Sequence, residues 1–247
     1  MADDPELIPG IHIYCDRWCG RCAYTSRCLQ FRLEANEREV GGALQNFDAL
    51  NSQFWQEMGE ALVQVMRFIR DIAARGDLEA DELQRETLFS EPPATLQRDA
   101  REHPCAIAAL LYAGMVNAWF AASDEFPDAE ESLLTHPPLF LEESIQVIRH
   151  YHYFIYPKIV RAVEGRLSGE AASDSDLRDD ASGTAKVALI AIDRSLAAWS
   201  LLYKEYPDQE DSTLSILLHL DRLRRSVEVV FPEARAFIRQ GFDAPYP

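Results

Sequence analysis

The chain of 247 residues is long enough to bury a core of its own, and its composition, 47% hydrophobic and 26% charged, is that of an ordinary globular protein. Its formal net charge of −17 makes nucleic acid and anionic membrane surfaces poor partners, because both are bound through clustered lysine and arginine. The stretch from Met1 to Glu6 has neither the basic region nor the apolar run of a secretory signal, so we expect a cytoplasmic, reducing location.

Four of the five cysteines lie close together near the start of the sequence, with the spacing C-x3-C-x2-C-x5-C. They are Cys15, Cys19, Cys22 and Cys28. In a reducing compartment such a cluster is more typical of a metal site than of disulfides. Residues 11–32 contain four arginines against Asp16 alone, a local charge of +3. We expect this charge to lower the pKa values of the thiols and to balance an anionic metal–thiolate centre.

The compact spacing favours an iron–sulfur cluster, because structural zinc more often uses two short cysteine pairs separated by a longer finger. We therefore predict a [4Fe–4S] cluster bound by the four cysteines, with Zn²⁺ as the alternative and free or redox-active thiols as a third possibility. Tyr14, Trp18 and Tyr24 are candidates to shield the cluster from water. His12 could substitute as a ligand, although a partly packed surface histidine is the simpler interpretation.

The first three cysteines, C-x3-C-x2-C, are similar in spacing to those of radical S-adenosylmethionine enzymes, over eight residues. Members of that family resemble full or partial β/α barrels with the motif after a first strand. This chain shows no strand pattern and supplies Cys28 as a fourth ligand. A fourth thiolate closes the coordination sphere, so the implied role is electron transfer, redox or iron sensing, or structural support.

After the cysteines, apolar residues recur every three or four positions, which predicts helices. The predicted helices are Arg27 to Val40, Ala43 to Arg75, Pro104 to Ser123, Leu139 to Leu167 with a break near Pro157, Thr184 to Tyr206, Ser212 to Val230, and a short terminal helix up to Gly241. Residues 76–102 are a predicted linker with room for one short helix, residues 124–138 a second linker, and the tract 168–183 a mobile loop.

The predicted fold is all-α, a helical bundle of five to six helices with an N-terminal cysteine-rich metal-binding loop. Residues 1–40 form the cysteine-rich loop and a short helix, and residues 41–247 the helical bundle domain. The apolar run from Cys105 to Ala122 predicts a buried central helix rather than a membrane span. Cys105 itself is expected to be buried and inert.

A second, weaker set of polar residues falls on helix faces and consists of Glu143, His150, Asp193 and His219. Helix bundles can build metal sites from such residues, but the Glu-x-x-His pattern of di-iron centres does not occur in this sequence. Buried polar pairs with neighbouring arginines are the simpler interpretation.

The leading prediction is an iron–sulfur protein that acts in electron transfer or in redox or iron sensing, with the acidic bundle binding a protein redox partner. One alternative is a helical-bundle metalloenzyme with a Glu/Asp/His metal site, and another is a zinc-stabilised interaction scaffold. No Gly-rich phosphate loop and no catalytic serine motif occurs, so the sequence identifies no substrate or reaction.

Overall fold

The computed structural model describes residues 6–42, 94–122, 139–172 and 174–245, and within these ranges it contains seven α-helices and no β-strand. The helices are α1 (Leu29–Gly42), α2 (Ala94–Glu102), α3 (Pro104–Ala122), α4 (Leu139–Tyr151), α5 (Ile155–Ala172), α6 (Ser175–Glu205) and α7 (Glu210–Val230). The prediction of an all-α fold is confirmed. The predicted helix from Ala43 to Arg75 lies outside the described residues, as do most of the two predicted linkers.

Contacts divide the chain into two compact units, Met1–Phe31 with Pro92–Pro247 and Arg32–Glu91. The cysteine segment, residues 15–28, therefore belongs to the same unit as helices α2 to α7. The boundary that the sequence suggested after residue 40 falls inside α1.

Helix α6 is the centre of the larger unit and packs against α4, α5 and α7. Its inward face includes Leu189, Ile192 and Trp199, each with no exposed surface. The ring of Trp199 meets that of Trp119 from α3 edge to face at 5.1 Å, a favourable aromatic geometry. Burial of this stripe stabilises the unit, because apolar area removed from water is the dominant favourable contribution to folding.

Helix α3 begins at Pro104, as predicted, because proline lacks the N–H that the first turn leaves unpaired. One of its faces is buried through residues such as Tyr112 and Val116. The opposite face carries exposed apolar side chains, among them Leu110 and Leu111. Among the described residues, this is the one helix that is long and apolar enough to cross a membrane by length and composition, and 39% of its apolar stretch is buried within the protein.

The prediction of a mobile loop over residues 168–183 is wrong, because α5 continues to Ala172 and α6 begins at Ser175. Asp174 caps α6: its carboxylate accepts hydrogen bonds from the backbone N–H groups of Asp176, at 2.8 Å, and Leu177, at 3.4 Å. Gly183, one of the two glycines in this Gly/Ser/Asp-rich tract, is a buried helical residue.

The predicted break near Pro157 is present but lies slightly earlier, between Tyr151 and Ile155. Pro157 is in the first turn of α5, where a missing N–H is tolerated. The predicted terminal helix is wrong, since residues 232–236 form turns and Gly241 has a φ of +83° that a right-handed helix excludes. Gly241 packs against Ile8 and Ile11 of the N-terminal segment.

Candidate metal centre

The segment that carries the four clustered cysteines is built from two short 3₁₀ turns. The first, Cys19–Arg21, is followed by Cys22, whose N–H donates to the carbonyl of Cys19 at 3.2 Å. The second, Thr25–Arg27, is followed by Cys28 in the same way, at 3.3 Å. The backbone N–H of Ile8 donates to the carbonyl of Arg27 at 3.0 Å and so ties the end of the segment to the residues that precede it. The cysteines are thus carried by consecutive short turns that backbone hydrogen bonds hold in place.

All four cysteines line one small cavity, which we call the cysteine cavity, and none of them forms a disulfide. His12 lies in the same wall. The free volume of about 20 Å³ is little more than a single water molecule needs. Among the residues that the structure describes, no three His, Cys, Asp or Glu side chains lie close enough together to hold a metal ion. Binding of a metal ion or cluster therefore requires these side chains to move, on a segment that contains only short turns.

The donor chemistry of the cavity fits a thiolate-bound metal centre. The four thiols are the ligand set that iron–sulfur clusters and structural zinc use. The backbone N–H of Tyr24 already donates to Sγ of Cys22 at 3.4 Å, the kind of contact that tunes a bound cluster. Sγ of Cys15 donates to the carbonyl of His12 at 3.3 Å.

The expectation that the local arginines lower the thiol pKa values is wrong for Cys15. Burial raises the pKa of this thiol, and the opposing effects of the Arg17 backbone N–H and guanidinium do not offset it. Burial also lowers the pKa of His12, and the charge of Arg17 adds to that effect. A metal would therefore have to displace a proton from Cys15 when it binds.

Asp16 links the cysteine segment to helices α4 and α6, and we call its contacts with Tyr151 and Arg194 the Asp16 anchor. Its Oδ2 accepts hydrogen bonds from the hydroxyl of Tyr151 on α4 at 2.7 Å and from Nη1 of Arg194 on α6 at 2.5 Å. Its Oδ1 accepts from the N–H of Trp18 at 3.2 Å. Burial alone would raise the pKa of Asp16, but these hydrogen bonds and the charge of Arg194 together hold it below its ordinary value.

The residues next to Asp16 add to this anchor. His150 Nε2 lies 3.0 Å from the carbonyl oxygen of Asp16, and its ring stacks on that of Trp18 at 4.4 Å. Arg17, which lies between Asp16 and Trp18 in the chain, has a φ of 58°. This left-handed conformation is uncommon for a residue with a side chain. The contacts on both sides of Arg17 hold the backbone in this turn.

A second anchor lies just before the first cysteine, where the hydroxyl of Tyr14 donates to Asp180 of α6 at 2.9 Å. Burial, followed by this hydrogen bond, raises the pKa of Tyr14 to about 12. Tyr14 reaches α6 because Gly183 has no side chain: a Cβ there would lie 2.5 Å from the Tyr14 ring and 2.7 Å from that of Phe237. Gly183 is therefore a site of close approach, which a search for sequence motifs does not reveal.

The far wall of the cysteine cavity comes from the C-terminal segment. Phe242 lines the cavity and meets Tyr24 edge to face at 5.3 Å. Asp243 holds this wall in place through ion pairs with Lys186 of α6 at 2.8 Å and with Arg239 at 2.9 Å. Phe242 was missed by sequence reasoning because it lies more than 200 positions from the cysteines.

The four residues of the weaker predicted set lie in separate surroundings. Asp193 is paired with Arg235 at 2.5 Å, and His219 Nε2 lies 2.7 Å from the carbonyl oxygen of Ala108. His150 belongs to the Asp16 anchor, and Glu143 is exposed at the edge of a neighbouring cleft.

Cys105 lies apart from the cysteine cavity, in the core at the start of α3, with 2% of its surface exposed. Burial raises the pKa of its thiol, as expected for an inert cysteine.

Comparisons of the chain with protein-family models, with curated proteins and with solved structures find no match.

Proposed function

We propose that the chain binds a [4Fe–4S] cluster through Cys15, Cys19, Cys22 and Cys28 and acts in electron transfer or in redox or iron sensing. The observation that supports this most directly is that the four clustered cysteines, and not Cys105, line one cavity. Their compact spacing suits a cluster better than the paired knuckles of structural zinc.

When bound, such a cluster with four thiolate ligands supplies one-electron chemistry. The protein residues have three supporting roles. Trp18, Tyr24 and Phe242 cover the cavity and limit access of water. The Asp16 anchor fixes the first half of the loop on α4 and α6. The arginines of residues 11–32 partly compensate the negative charge of a metal–thiolate centre.

The charge distribution is consistent with a protein redox partner. Residues 11–32 carry a local charge of +3. Because the total formal charge is −17, the rest of the chain carries −20. A basic partner would be attracted to the acidic surface, and complementary charge raises the rate of encounter.

The proposal is tested by anaerobic purification of the full chain, followed by measurement of iron, sulfide, zinc and visible absorption. We expect a brown protein with iron and sulfide in the ratio of a [4Fe–4S] cluster. Replacement of Cys22 by serine should lower the iron per chain severalfold. The matched control, Cys105→Ala, should keep the iron because Cys105 lies outside the cavity. A colourless protein with one zinc per chain would refute the cluster and support the scaffold alternative.

A further inference from the structure

A cleft of about 580 Å³ opens beside the cysteine cavity, between the cysteine segment and helices α4 and α6. We call it the Arg21 cleft. Its volume is in the range of sites that bind small organic molecules. Cys22, Trp18 and Tyr24 line both the cleft and the cysteine cavity, so the two spaces share a wall. Nothing in the proposed function uses this cleft.

The first cationic group of the cleft is the guanidinium of Arg21. Its central carbon lies 4.5 Å from the centre of the Trp18 ring, and Nη2 donates to Oε1 of Gln146 at 2.7 Å. Both partners are neutral. In the described part of the chain no carboxylate pairs with Arg21, so its position is set while its charge is left uncompensated.

The second cationic group is Arg194, which also lines the cleft. Its hydrogen bonds to Asp16 and to the hydroxyl of Tyr151 both use Nη1. The other donors of the guanidinium have no protein partner among the described residues. Arg194 is therefore oriented by the Asp16 anchor and keeps donors for a further acceptor.

The remaining walls are mainly apolar and include Val147, Ala197, Leu201 and Phe242. Glu143 is the one other charged residue in the lining besides Asp16, Arg21 and Arg194. Glu143, Arg21 and Arg194 are all exposed residues, so water screens each of these charges. The Arg21 cleft thus combines two positioned guanidinium groups with an apolar surface.

We infer that the Arg21 cleft binds a small organic carboxylate with an aromatic or other apolar body. The carboxylate meets Arg21 and Arg194, and the body packs against the apolar walls. The inference deepens the proposed function and rests on it in one respect: because Cys22 lines both spaces, the bound molecule would lie next to the cluster. In that position, the bound carboxylate is a small molecule that the redox centre can sense.

Calorimetric titration of the anaerobically purified full chain with phenylacetate tests the inference. A ligand of this size at an adequate site binds with a Kd of about 1 mM. Phenylacetamide, which has the ring without the charge, and acetate, which has the charge without the ring, should each bind at least fivefold more weakly. Equal binding of the amide and the acid would overturn the inference.

Three variants locate the binding. Arg21→Gln should weaken phenylacetate binding about tenfold, and Leu201→Trp, which fills the cleft from a partly exposed position, should abolish it. Glu143→Gln should tighten it about twofold, because a nearby negative charge is removed. The control Arg225→Gln removes an arginine that is 71% exposed on α7 and should leave the Kd unchanged. A Kd for Arg21→Gln within twofold of the original value would also overturn the inference.

Metal analysis of each titrated sample separates this inference from the proposed function. A preparation with full iron and sulfide that does not bind phenylacetate refutes the cleft alone. A zinc-containing or metal-free preparation that binds it through Arg21 refutes the cluster alone.

Discussion

The hydroxyl of Tyr151 donates a 2.7 Å hydrogen bond to Asp16, a residue 135 positions earlier in the chain. This bond joins helix α4 to the turn between the first two cysteines. Because Arg194 of α6 binds the same carboxylate oxygen, one side chain ties the cysteine segment to two helices. The position of the candidate site therefore depends on a residue that is itself no ligand.

Asp16→Asn should destabilise the protein by about 1–3 kcal/mol, because a charge-assisted hydrogen bond from Arg194 is lost at a mostly buried position. Urea unfolding followed by circular dichroism measures the change. Asp208→Asn, at an exposed position in the turn before α7, is the matched control and should change stability by less than about 0.5 kcal/mol.

The contribution of Asp16 should also depend on pH. The pKa of Asp16 is lower in the folded protein than its ordinary value, so the carboxylate stabilises the fold above the unfolded pKa of about 3.9. That stability is lost as the pH falls through the folded pKa. The difference in unfolding free energy between the original chain and Asp16→Asn should be constant from pH 7 to about pH 5 and shrink below about pH 4. A difference that is unchanged at pH 3 would contradict this assignment.

Gly183→Ala should destabilise the protein by about 1–3 kcal/mol, because the new methyl group would overlap the rings of Tyr14 and Phe237. Gly114→Ala is the matched control in another helix, where a Cβ meets nothing within 4 Å. There alanine should stabilise the helix by up to about 1 kcal/mol. Thermal unfolding of both variants measures the contrast, and effects of equal sign would refute the close approach at Gly183.

Tyr112→Phe tests the polar contact in the core. The hydroxyl of Tyr112 accepts a 3.1 Å hydrogen bond from Nε1 of Trp199, and both residues are fully buried. Without the hydroxyl, the indole N–H has no acceptor at this position, at a cost of about 1–3 kcal/mol in unfolding free energy. The control is Tyr153→Phe, where the ring is 62% exposed and the expected change is below about 0.5 kcal/mol. Chemical denaturation that ranks the two variants equally would contradict the prediction.

Phe242→Ala tests the outer wall of the cysteine cavity. Its removal should admit water and oxygen, so we expect the visible absorption of a bound cluster to decay severalfold faster in air. Ile238→Ala, on the same segment but 62% exposed, should decay at the original rate. Identical decay of the two variants would show that Phe242 does not protect the site.

The parts of the fold that the sequence predicted are those that depend on local periodicity. The apolar stripes of α6 and α7 and the proline at the start of α3 are local signals, and they identified helices correctly. The prediction of a loop at 168–183 is wrong because a Gly/Ser/Asp-rich composition is typical of loops, whereas here Asp174 is an N-cap and Gly183 a packing position. Composition does not distinguish these roles, since they depend on which residues come close in space.

In the candidate site, too, the residues with a local sequence signal were predictable and those placed by long-range packing were not. The cysteines were evident from their spacing, which is a local property. The anchors Tyr151 and Arg194 and the wall residue Phe242 carry no motif, and each reaches the cysteine segment from more than 100 positions away. Long-range packing of this kind is invisible in a single sequence.

The contact of Phe242 with the cysteine segment can form only late in synthesis. Synthesis proceeds from Cys28 toward Phe242, which emerges from the ribosome 214 residues later. Until then the thiols are on a nascent chain that lacks one side of their enclosure. Cofactor delivery before Phe242 has been synthesised would therefore meet an open loop.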